Sequence, residues 1–106
     1  MAKYLIEANY VGDGIKGLLK EGGTSRRAAV EEAAKTVGGS VDAFYYAFGE
    51  TDAYVIIDVP DNVTAAGLAL TVAASGTVTL RTTVLITPEE VDRAVKTSPR
   101  YRPPGQ

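Results

Sequence analysis

FYYAFGETDAYVIIDVP, residues 44–60, decides the reading of the chain: two apolar runs meet at a short polar interruption, the pattern of a β-hairpin. From Val41 to Phe48 the residues are almost wholly apolar and aromatic. From Ala53 to Val59 they are rich in the β-branched types that strands favour. Gly49, Glu50, Thr51 and Asp52 make the turn, with Gly49 expected at a positive φ and Asp52 expected to accept backbone hydrogen bonds. Pro60, which has no N–H to give to a ladder, ends the second strand. Alternation places Ala53, Val55, Ile57 and Val59 on a core face and Asp52, Tyr54, Ile56 and Asp58 on the other. In the first strand the set Phe44, Tyr46 and Phe48 is assigned to that second face. Such a face is too aromatic to stand in water, so both sides of the sheet need cover.

Working outward, Lys3–Val11 reads as a strand and Gly12-Asp13-Gly14 as a turn. A short helix over Ile15–Lys20 is broken at Gly22-Gly23. Thr24 or Ser25 is expected to cap a longer one through Val37, with Ala28, Ala29, Ala33, Ala34 and Val37 as its buried stripe and Gly38-Gly39 as its end. Beyond the hairpin, Asp61 or Asn62 caps a helix over Val63–Ala74, whose bulkier apolar members are Leu68, Leu70, Val72 and Ala73. Gly76 stops it, and Thr77–Ile86 alternates as a strand. Pro88-Glu89-Glu90 opens a last short helix to about Lys96, with acids beside its N-terminal dipole. Residues 1–97 thus form one domain, and Ser98–Gln106, rich in proline, is expected to be an extended or disordered tail.

The resulting order, β-α-β-β-α-β, is that of a ferredoxin-like α+β plait, a four-stranded antiparallel sheet with its main helices on one face. The open face would carry Glu7, Asn9, Phe44, Tyr46, Phe48, Tyr54, Ile56, Thr79, Arg81 and Leu85. The simplest cover for it is the same face of a second copy, so the expected partner is the protein itself, in a homodimer packed sheet to sheet.

Composition narrows the chemistry. The 106 residues are 45% hydrophobic and 23% charged with a net charge of −2, values of an ordinary globular domain. Basic residues are scattered, which leaves no footprint for nucleic acid or anionic lipid. No run is long and apolar enough to span a membrane and Met1-Ala2-Lys3 leads straight into a strand, so the cytoplasm is the default. With no Cys and no His there is no disulfide, thiolate nucleophile, Ser-His-Asp triad or imidazole metal ligand. Any catalysis would fall to carboxylates, Tyr, Lys, Arg, Asn or hydroxyls, or to a cofactor that brings its own chemistry.

With these elements in place the hairpin resembles the GYD domain family. The resemblance runs over roughly Tyr4–Val91 and rests on Gly14-Ile15, Gly38-Gly39, Phe44-Tyr45-Tyr46, Phe48-Gly49-Glu50, Asp52, Pro60-Asp61 and a threonine-rich last strand with Arg81. One position departs from it: Thr51 stands where the family usually has Tyr. The resemblance implies a fold similar to the dimeric α+β barrel proteins, and a dimer, but no reaction.

Three constellations are candidates for function. Gly12-Asp13-Gly14-Ile15-Lys16-Gly17 has the spacing of a dinucleotide fingerprint, yet Asp13 would sit where the pyrophosphate should and the chain is too short for a Rossmann domain; a plain glycine turn is the better reading. Glu50 and Asp52 beside Gly49 could pair as carboxylates at a barrel mouth, though turn chemistry alone explains the glycine and the aspartate. Glu7, Asn9, Tyr46, Tyr54 and Arg81 are the polar set expected between the sheets, either as a site for a small organic ligand or as a satisfied cluster with Glu7 and Arg81 paired across strands. No cofactor and no metal is called for. An RNA-binding reading of the same plait fails because the strand over Asp52–Asp58 is acidic at both ends where a basic one is needed. The leading expectation is a homo-oligomeric binding or structural module. The alternatives are a cofactor-independent enzyme of the monooxygenase, isomerase or decarboxylase type and a ligand-sensing domain with its pocket at subunit edges.

Overall fold

The computed structural model describes all 106 residues and has the expected order. β1 (Ala2–Tyr10), β2 (Ser40–Tyr46), β3 (Ala53–Val59) and β4 (Val78–Leu85) form one antiparallel sheet in the order β2-β3-β1-β4. Between β1 and β2 run α1 (Gly14–Glu21) and α2 (Gly23–Thr36), between β3 and β4 runs α3 (Asn62–Ala74), and α4 (Pro88–Val95) follows the sheet. This is the ferredoxin-like plait, with β1 and β3 central and the other face of the sheet uncovered. No helix is long and apolar enough to cross a membrane.

Side-chain alternation builds the covered face. Tyr4, Val55, Ile57 and Val59 from the central strands and Ala65 from α3 make one buried cluster, and Ala8, Ala53 and Val78 make a second nearer the hairpin. Burial of these apolar groups supplies most of the driving force, at about 25 cal/mol per Å² removed from water. Tyr4, 1% exposed, carries a polar tip into this core and satisfies it by donating to Asn62 Oδ1 at 2.6 Å.

The helix boundaries follow backbone chemistry, with one correction. Neither Thr24 nor Ser25 caps α2. Its N-cap is Gly22 at φ 84°, a left-handed conformation that ends α1 and starts α2 within one residue, leaving both hydroxyl residues inside the helix. At the other end Gly38 N–H donates to the Lys35 carbonyl and Gly39 N–H to the Ala34 carbonyl, the paired bonds of a Schellman cap. Asp61 caps α3 through Thr64 N–H, as its position suggested. α4 is held by a full capping box between Thr87 and Glu90, and none of its residues is buried.

The apolar stripe of α2 is also narrower than its alanines imply. Ala34 is fully buried and Ala33 partly so, but Ala28, Ala29 and Val37 are exposed, as are Leu70 and Ala73 of α3. Side chains that stop at Cβ fill little space, so beside the contacts that Ala34 and Ala65 make, the alanines of α2 and α3 leave a gap above the sheet.

Candidate functional site

The open face is set by register. Glu7 of β1 lies opposite Tyr54 of β3 on one side and Arg81 of β4 on the other, and Asn9 lies opposite Thr79. Leu5, Ile56 and Thr83 occupy the next row, and Lys3, Asp58 and Leu85 the last. Glu7, Asn9, Tyr54, Ile56, Thr79, Arg81 and Leu85 therefore share the uncovered face, where alternation had put them.

Phe44, Tyr46 and Phe48 do not join them. Between Val41 and Ala43 the ladder slips by one residue, so that Val41 faces Ile57, Ala43 faces Ile56, Phe44 faces Val55 and Tyr46 faces Ala53. Asp42 is the extra residue of a β-bulge, and it reverses the phase of everything after it. Phe44 and Tyr46 turn toward the helices, with ring centroids 5.1 Å apart, and Tyr45 takes the open face at 71% exposure. The Tyr46 hydroxyl donates to the Gly23 carbonyl at 3.0 Å and its ring lies against Gly23, where a Cβ would meet it at 2.9 Å. Desolvation, then the neighbouring Tyr10, pushes this phenol up to about 12. Tyr46 is thus an anchor for the start of α2 and stands on the opposite side of the sheet from Glu7. Phe48 lies beyond the end of β2 and is fully exposed.

The turn differs too. β2 stops at Tyr46, so the connection runs from Ala47 to Asp52, closed by the Ala47 N–H to the Asp52 carbonyl at 2.8 Å. Gly49 is not among the positive-φ glycines. A longer loop spreads its curvature over more residues and needs no left-handed one at that point. Asp52 does accept from backbone, but across the sheet: Tyr10 N–H donates to its Oδ2 at 2.9 Å, while its own N–H donates to Asn9 Oδ1 at 2.9 Å. Asp52 is thereby bound to β1 and is not half of a carboxylate pair with Glu50.

Glu50 instead joins the strand residues. Glu7, Asn9, Glu50, Thr51, Thr79, Leu80 and Arg81 surround a depression of about 320 Å³ at the hairpin end of the open face. Arg81 Nη2 donates to Glu7 Oε1 at 3.2 Å, with the Glu7 side chain 21% exposed and that of Arg81 72% exposed. Asn9, its carbonyl oxygen used by Asp52, has its amide donors left over. Thr51 is 3% exposed in the wall of the same depression. The set can therefore offer carboxylates, an amide and a guanidinium to one small polar molecule. The sequence marks Thr51 only as a turn residue, and Glu50 as a turn residue or the partner of Asp52 in a carboxylate pair; nothing in their spacing shows that the loop folds back over β1 and β4.

A second polar cluster marks the far end of the face. Lys3 binds the carboxylates of both Asp42, which alternation from Val41 puts on this side, and Asp58 at 3.1 Å. These two hydrogen bonds, Asp42's first, hold the ammonium above its ordinary range. Asp58 Oδ1 is buried without a hydrogen-bond partner. Between the two clusters lie Leu5, Ala43, Tyr45, Tyr54 and Ile56, an apolar and aromatic middle.

The formal G-x-G-x-x-G stretch has a structural explanation. Gly14 is buried where α1 begins against the end of the α3–β4 connection, and a Cβ there would stand 2.1 Å from the Thr77 carbonyl oxygen. Glycine is needed for that contact, with no phosphate involved.

No curated protein and no solved structure matches the chain. The family model for the GYD domain matches residues 4–95, from β1 through α4, and by that match the chain belongs to the GYD domain family.

Proposed function

We propose that this protein is a homodimer in which two open sheet faces pack together, and that it works as a binding or structural module with a site for a small organic ligand between the sheets. The observation that carries the reading is the uncovered face itself. It presents Tyr45 and Tyr54, 71% and 40% exposed, and partly exposed Leu5 and Ile56 between two charged clusters. A single chain gains nothing by placing these side chains in water, whereas a two-fold partner buries them against the same set. The polar depression around Glu7, Asn9, Glu50 and Arg81 would then be enclosed, with Tyr54 beside it, and becomes the ligand site.

Catalysis is the weaker alternative. A cofactor-independent enzyme would need Glu7 free to take a proton, and here Glu7 is paired with Arg81. Native mass spectrometry of the protein purified from its own host tests the proposal. The expected result is a dimer carrying a reproducible small mass that denaturation releases. A monomer at micromolar concentration overturns the sheet-to-sheet assembly, and a dimer with no added mass removes the ligand and leaves the structural module.

A further inference from the structure

The helix side of the sheet holds a second cavity, unrelated to the face just described. It has a volume of about 160 Å³ and sits between α2, α3 and the sheet. Ala29 and Ala33 line it from α2, Ala65 and Ala69 from α3, and Val55 and Leu80 from its floor. Two helices that both offer alanine above a common floor leave a space that longer side chains would fill.

Its lining is chemically simple. Of 17 residues, 16 are hydrophobic, and the remaining one is Arg26 in the early turns of α2. The Arg26 side chain is 30% exposed, and its one ion pair, to Glu21 Oε2, is long at 3.5 Å. An exposed pair of that geometry is easily exchanged for a better anion. The guanidinium fork fits a carboxylate through two parallel bonds. Size favours a single ring: an apolar space of about 150 Å³ takes up benzene, and this one opens to solvent on the side where a charged substituent would meet Arg26.

We propose that this cavity is a binding site for a monocyclic aromatic carboxylate, with the ring among the alanines and the carboxylate on Arg26. The site lies within one chain, so it needs no dimer and stands or falls apart from the ligand suggested between the sheets.

Methyl-detected NMR titration of the full chain with benzoate, and with benzyl alcohol as the neutral counterpart, tests it. The expected result is saturable shifts for both at the Ala33, Ala69 and Leu80 methyls. Arg26→Gln should weaken benzoate by about tenfold, the effect of losing a charged hydrogen bond, and leave benzyl alcohol unchanged. Ala69→Leu, which fills the space, should abolish binding of both and raise the melting temperature; Ala33→Val serves the same end with a smaller side chain should the leucine variant fail to fold. Absence of saturable shifts, shifts centred on the Thr51 and Thr79 methyls of the other depression instead, or full retention of binding in the filled variant would each overturn the proposal.

Discussion

Ile56 and Ile57 are neighbours of the same type on the same central strand, and they live in different surroundings. Ile57 is 2% exposed among Tyr4, Val55, Val59 and Ala65, while Ile56 is partly exposed on the face no helix covers. β-Branched and aromatic residues occur on both faces, so composition alone does not say which face is core; the helices do. The contrast teaches that nothing within one chain covers the apolar open face, and cover for it is what the proposed dimer would supply. Ile57→Ala should cost about 3 to 4 kcal/mol, the usual range for emptying a packed isoleucine site, at every protein concentration. Ile56→Ala should cost less than about 1 kcal/mol in dilute solution, where the chain is alone. Its cost should then rise with concentration as a dimer forms. Urea denaturation at several concentrations, beside sedimentation, checks both, and equal costs under all conditions would break the comparison.

The same contrast can be drawn with two tyrosines. Tyr46 donates its hydroxyl to the Gly23 carbonyl on the helix side, whereas Tyr54 stands on the open face opposite Glu7. Tyr46→Phe should destabilise the chain by about 1 kcal/mol, the net worth of one hydrogen bond, and Tyr54→Phe by less. Alkaline titration sharpens this. The Tyr46 phenol is raised to about 12, above its ordinary value of 10.0, so the folded state favours its neutral form. The stability that this contributes is fully present below the ordinary value and is lost as pH climbs from there to about 12. Ultraviolet titration should show one fewer late-ionising tyrosine in Tyr46→Phe than in the wild type.

These two residues also mark how far the sequence was legible. Element order, hairpin, strand face assignments on β1, β3 and β4, and the Asp61 cap can all be read from it, because in those strands alternation runs unbroken. That is why Glu7, Asn9, Tyr54 and Arg81 come together as expected. β2 breaks the rule at Asp42, with no glycine or proline to announce it. Residues Phe44, Tyr45 and Tyr46 are all aromatic, so either phase of the strand supplies an aromatic to either face, and the pattern cannot reveal the slip. The Gly22 junction was hidden likewise, since Thr24 and Ser25 are both good caps one turn too late. Glu50 and Thr51 reach the depression through the course of a loop, which no periodicity encodes.

The covered face depends on α3, and α3 depends in part on an acid. Hydrogen bonds from the Thr64 N–H, then from its hydroxyl, hold the Asp61 carboxyl below its ordinary value of 3.8. A carboxylate favoured in the folded state stabilises it above that ordinary value, and the contribution fades as pH falls through the lower folded one. Asp61→Asn keeps a capping oxygen but cannot titrate. Its melting temperature should therefore fall less than that of the wild type between pH 5 and pH 3, by a small margin because the cap is exposed.

The smallest effect is the one that separates the faces most sharply. Arg81 and Glu7 make a single contact at 3.2 Å, and Arg81 is 72% exposed. In one chain such a pair contributes about 0.5 kcal/mol or less. In 1 M salt, where charges are screened beyond about 3 Å, even that should vanish. A double-mutant cycle of Glu7→Gln and Arg81→Ala in dilute protein should therefore read close to zero. Once a second sheet covers the face, the same pair is taken out of water. Removing Arg81 alone then strands a buried carboxylate, at a cost of about 3 kcal/mol that salt does not erase. The coupling energy should accordingly climb with dimer fraction and lose its salt dependence, while that of any pair on the outer surface of the helices stays flat. A coupling that is small and salt-sensitive at all concentrations would mean that Glu7 and Arg81 always face water, and the open face would then be open in the working protein as well.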